Sequence, residues 1–236
     1  MKTGIFTIAL LAVLAAPAGA LATAFTWNGN TSSYWDEPNW SVGQFGSQNY
    51  PGQNQAGDSA TIKVATNNPV ILDVSLYDLS TLDLDADAAG ANITLDIRTG
   101  ADLATTGLVT IKGEQDDGSP EAKIIVGAAF APEAMRFWGH SDATDGHAKA
   151  DVDVDFSVVS DVSVRRYADF DVATDKTVTV DGSLRIGKDL DDYFAYLTVT
   201  GGGTVAAATV VIEGQSGVDP VAESTLQVSS GIVITN

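Results

Sequence analysis

From about residue 25 onward, apolar and polar residues alternate with a period of two, in short runs. Examples are Val178-Thr-Val180, Leu184-Arg-Ile186, Leu197-Thr-Val199, Leu226-Gln-Val228 and Ile232-Val-Ile234. Alternation of β-branched and aliphatic residues is the signature of strands with one buried face. Each run is too short for a wide sandwich strand, and helix signals are nearly absent. The one exception is APEAMRFWGH (131–140), which predicts a short helix or an aromatic insertion outside the strands, packed down by Phe137 and Trp138.

The spacing of the runs carries more than the runs themselves. Aligning Leu95, Leu197 and Leu226 places Gly100, Gly202 and Gly231 at one offset. A second phrase, a strand ending in glycine, runs from Leu108 to Gly113 and from Val210 to Gly214, with a shorter version from Leu184 to Gly187. A self-similar period in the twenties points to stacked coils, each burying its face against its neighbours. Glycine falls at the corners, where the backbone needs positive φ or close approach. The expected fold is all-β: a right-handed parallel β-solenoid, with a β-sandwich or jelly roll as the alternative.

The N-terminus reads differently. A single Lys2 precedes an apolar run from Ile5 to Leu14, followed by Pro17 and small residues. This is the arrangement of a secretory signal peptide, with cleavage after Ala20, Ala22 or Ala24. The expected organisation is a signal over 1–24, an aromatic cap and first rung over 25–62, and a solenoid over 63–236 with an insertion near 128–150. With no cysteine, stability must come from packing, backbone hydrogen bonds or bound ions. The net charge of −19 disfavours nucleic acid and anionic lipid and attracts cations. Neither nucleic acid nor, once the signal is removed, a membrane is an expected partner.

Acidic loops follow the terminal glycines. In a solenoid, such loops stack at one corner, so Asp116, Asp117, Glu121, Asp189, Asp191, Asp192, Asp219 and Glu223 would form a ridge. The ridge either keeps the surface soluble or binds calcium, a hard cation that takes several carboxylate oxygens. No cofactor is required, and calcium is the one ion to expect. A second, weaker cluster is His140, Asp142, Asp145 and His147, whose donors suit zinc or manganese but whose spacing matches no established ligand motif.

Catalytic chemistry is not legible. Asp151, Asp153 and Asp155, with Arg165 and Arg166, resemble parts of a polysaccharide-cutting β-helix site, but the alternation makes these aspartates an ordinary solvent-facing row. Both histidines lie in one loop, and no Ser-His-Asp set is legible. The expectation is a protein that is not an enzyme.

Residues 25–62 hold three of the four tryptophans, Trp27, Trp35 and Trp40. They cover either the open end of the solenoid or, as exposed rings flanked by Asn and Gln, a sugar-binding surface. Trp27-Asn-Gly29, Trp35, Asn39-Trp40, Pro51 and Gly57-Asp58-Ser-Ala60 together resemble the N-terminal cap of secreted bacterial proteins with autotransporter-associated β-strand repeats, abundant in planctomycete-type bacteria. "TVTVDGSLRIG" and "LTVTGGGTV" are similar to that family's rungs. The resemblance implies a β-solenoid and an extracellular setting. The terminal transmembrane barrel of true autotransporters is not found in this sequence. The expected function is a secreted structural or adhesive component of the cell surface or matrix, its partners being further copies joined end to end or surface glycans. The alternatives are a carbohydrate-binding module and, behind it, a polysaccharide-active enzyme.

Overall fold

The structure, a computed structural model, describes residues 22–29, 33–42, 49–64, 68–86, 92–113, 120–140, 146–187, 195–213, 224–228 and 232–235. In chain order the strands are β1 (Ala24–Trp27), β2 (Trp40–Val42), β3 (Ser59–Ile62), β4 (Val70–Leu72), β5 (Thr81–Asp85), β6 (Ile93–Ile97), β7 (Asp102–Lys112), β8 (Ala122–Val126) and β9 (Ala129–Trp138). They continue as β10 (Ala148–Val152), β11 (Phe156–Val158), β12 (Val162–Val172), β13 (Thr177–Ile186), β14 (Ala195–Thr200), β15 (Thr204–Ile212), β16 (Thr225–Val228) and β17 (Ile232–Thr235).

Among the described residues every strand pairing but one is parallel and joins strands one turn apart, which makes the fold a parallel β-solenoid. One sheet stacks β4, β6, β8, β10, the second half of β12, β14 and β16. The other stacks β1, β3, β5, β7 and β9, then β11 with the first half of β12, then β13, β15 and β17. Its long strands bend, because the register shifts between Thr105 and Leu108 and between Val180 and Ser183. Each turn thus has three straight segments around one narrow core.

The core follows from the alternation. Inward columns such as Ile93–Ala122–Ala148–Ala168–Leu197 and Leu95–Ile124–Ala150–Phe170–Val199 stack apolar side chains rung upon rung. Phe137 and Phe170 meet across the interior with centroids 4.6 Å apart. Bulky rings at this level accompany small alanines in the first column, the large–small compensation that fills a core without voids.

These columns correct one alignment. Leu197 and Leu226 are register partners as expected, but Leu95 stands in the Val199 column, two residues away. Corner segments differ in length from turn to turn, so a gapless alignment drifts, and a shift of two keeps the same face inward. The expected corner glycines hold where described: Gly100 has φ +102° and Gly202 φ +87°.

The stretch 131–140 is neither a helix nor an insertion. Residues 129–138 are β9, paired with β7 on one side and β12 on the other. Pro132 sits where the neighbouring strand's register shifts, a point that requires no ladder donor. Phe137 points into the core, while Trp138 faces outward.

Candidate functional site

The aromatic segment is a plug. Trp27, Trp35 and Trp40 are all buried, with Trp35 fully inaccessible. Trp40 meets Trp27 edge-on at 5.0 Å and Trp35 at 4.5 Å. Two of the indole N–H groups are satisfied internally: Trp40 Nε1 donates to the Trp35 carbonyl (2.8 Å) and Trp35 Nε1 to the Pro51 carbonyl (3.3 Å). Rings used this way have no free face for a sugar, so the glycan-contact alternative does not fit these three residues.

The plug closes two sheet edges. β2 lies antiparallel on β1, covering the outer edge of the bent sheet. Residues 33–35 cover the other: the Ile71 N–H donates to the Ser33 carbonyl (2.7 Å) and the Trp35 N–H to the Ile71 carbonyl (2.8 Å), sealing β4. Antiparallel closure by a short strand is a recognised device against edge-to-edge pairing.

A buried carboxylate fastens the plug. Asp58 accepts the Thr23 N–H (2.9 Å) and Gln55 Nε2 (2.8 Å) on one oxygen and the Gly52 N–H (3.0 Å) on the other. Its backbone carbonyl accepts the Ser80 N–H (2.7 Å) of the next turn. The Gly57-Asp58-Ser-Ala60 motif therefore has a physical role: Asp58 ties the start of β1, the Pro51-Gly52 turn and the following rung to one point.

The acidic corner is described only at its flanks. On either side of 114–119, 141–145, 188–194 and 214–223 the described chain leaves a strand of the bent sheet and re-enters a strand of the other sheet. In the turn between the second and third of these, β12 rounds the corner with no loop, through Arg166 at φ +58°. Asp116, Asp117, Asp189, Asp191, Asp192, Asp219 and Glu223, and Asp142 and Asp145, lie outside the described residues. Glu121 is described, and its carboxylate is engaged by Lys149 Nζ at 2.6 Å. His140 is buried, and its N–H donates to the Gly146 carbonyl (2.9 Å) to close the loop neck. His147 Nδ1 lies 2.5 Å from Asp169 Oδ2, and its ring stacks on Tyr167, which stacks on Tyr196. Among the described residues no three His, Asp or Glu side chains cluster as a metal site would require.

The aspartate row and the arginines are not brought together. Asp151 pairs with Lys123, and Asp155 accepts the Thr177 N–H at 2.7 Å. Asp151 is level with Asp171, whereas Arg166 is five residues earlier on the same strand, about 16 Å at strand rise. Arg165 lies on the other sheet, its guanidinium 4.8 Å from the Trp138 ring, with Lys112 5.8 Å from that ring. Sequence reading missed this outward row and its neighbour, Arg136–Ser163–Arg185, because their members come from separate turns and only the register aligns them.

Comparison with family models, with curated proteins and with solved structures returned no match.

Proposed function

We propose that this protein is a non-catalytic structural or adhesive component of the cell surface or extracellular matrix, exported by its N-terminal segment. The observation that carries the reading is the plugged solenoid: a long stack of rungs whose first edges are closed by β2 and residues 33–35. Such a body offers extended, flat faces and works as a spacer or display scaffold. The resemblance of the cap and rungs to secreted repeat proteins supports the same setting, as does the leader-like sequence over 1–24. End-to-end association belongs to the proposal. Among the described residues β16 and β17 are each paired on one side, by β14 and β15, in contrast to the closed first rung. In a head-to-tail contact the last rung would meet the outer face of another copy's plug, since the edges of β1 and β4 are already covered. Calcium at the acidic corner is its proposed ion.

Immunogold labelling of intact source cells is the test. Labelling at the surface or in the matrix, with a mature chain beginning after Ala20, Ala22 or Ala24, is the expected result. Label confined to the cell interior, on a chain retaining Lys2, would overturn it.

A further inference from the structure

Beyond the bend of the long sheet, two outward columns run side by side across the turns. One is Asp83, Thr110, Arg136, Ser163 and Arg185; the other is Asp85, Lys112, Trp138 and Arg165. The acids stand at one end, and past them come four cations, in a chain with 12 Lys and Arg against 31 Asp and Glu. A cleft of about 250 Å³ opens here, with Arg136 and Arg185 at its sides and Ser160, Asp161 and Ser163 between. Leu108 and Ala134 form its apolar wall.

The Asp161 carboxylate is fixed before any ligand arrives. Asp161 Oδ1 accepts the Ser183 N–H at 2.7 Å, which leaves Oδ2 turned to Arg185 Nε at 3.5 Å, an ion pair longer than a hydrogen bond. Arg185 Nε is shielded from solvent and makes no hydrogen bond among the described residues. A buried donor in that state favours an acceptor brought by a ligand. Arg136 and Arg185 are two rungs apart, about 9.5 Å along the stack, with the Ser163 hydroxyl position between them.

We propose that this cleft binds an acidic sugar of the uronic-acid class. A guanidinium fork matches the two oxygens of a planar carboxylate. Ser160, Ser163 and Asp161 suit ring hydroxyls, and Leu108 and Ala134 suit the C–H face of the ring. The cleft is smaller than a drug-sized pocket and suits one sugar unit. The net charge of −19 opposes a long polyanion, whereas charges beyond about 8 Å are screened at physiological salt, which favours a single acidic unit. The site gives the adhesive reading a ligand and rests on that reading for its setting. A surface protein that fails to bind would overturn the cleft alone, and a binding protein confined to the cell interior would overturn the setting alone.

Isothermal titration of the purified chain with D-glucuronate, glucose, acetate and sulfate tests it. Glucuronate should bind at least tenfold tighter than each of the other three. Arg185→Gln and Arg136→Gln should each weaken glucuronate binding about tenfold or more, Arg185→Lys should weaken it less, and Arg98→Gln on the far sheet should leave it unchanged. Circular dichroism confirms folding, and Arg185→Lys serves if the glutamine variants do not fold. Equal binding of acetate or sulfate, equal binding of glucose, no binding at all, or no effect of the Arg185 variants would each overturn the proposal.

Discussion

Two aspartates show how burial decides the role of a residue. Asp58 is wholly inaccessible and satisfies three donors, one from Thr23 and two from the 52–55 stretch. Removing its carboxylate leaves buried N–H groups unpaired, so Asp58→Ala should cost about 3 kcal/mol in denaturant unfolding, and Asp58→Asn less. A cost below about 1 kcal/mol would mean the clasp is incidental. Asp83 is the opposite case. Burial, and then the neighbouring Asp85, push its pKa above the usual 3.8, against the pull of Lys112 and Lys63. A carboxyl raised on folding holds its proton to higher pH in the native state than in the unfolded chain. Stability therefore falls as pH rises from about 3.8 through the native value. Asp83→Asn should melt higher than the natural chain at pH 7, and the advantage should vanish below the ordinary carboxylate range. Melting curves at both pH values check this; a variant less stable at pH 7 would mean the Lys112 and Lys63 attractions outweigh burial.

Among elements, the cap carries the sharpest expectation. Trp35 is fully buried between Trp40 and the Pro51 turn, so Trp35→Ala should cost about 3–5 kcal/mol in thermal or denaturant melts. A loss under 1 kcal/mol would place the ring outside the load of the fold. The cap and the strand phrases were legible because tryptophan clusters, alternation and glycine corners are local signals. What failed was non-local. APEAMRFWGH carries good helix formers, yet β7 and β12 on either side impose strand on it, a tertiary override of local propensity. Leu95 was misaligned by two residues because corner lengths vary while inward parity is preserved. The cleft was invisible for a similar reason: Arg136, Ser163 and Arg185 become neighbours through register alone. The bond from His147 to Asp169 of the following rung was not legible either, since nothing in the chain order pairs them.

At the scale of the whole molecule, stability is a chain of nearest-neighbour contacts, since each rung pairs with the turns before and after it. If the acidic loops stack at one corner, as the proposed calcium site requires, their like charges oppose that stacking and a divalent ion bound to the folded corner would relieve it. The melting temperature should rise by several degrees in calcium relative to chelator at matched ionic strength; identical values would reduce the corner to a solvated surface. The central claim is that residues 25–62 close the first edges of a one-dimensional stack. Hydrogen–deuterium exchange read by mass spectrometry on the natural chain and on Trp35→Ala tests it most directly. The account predicts that amides of β3, β4 and β5 lose protection by orders of magnitude in the variant while those of β12, β13 and β14 keep most of theirs. Uniform loss along the whole stack, or unchanged protection in β3 and β4, would contradict it.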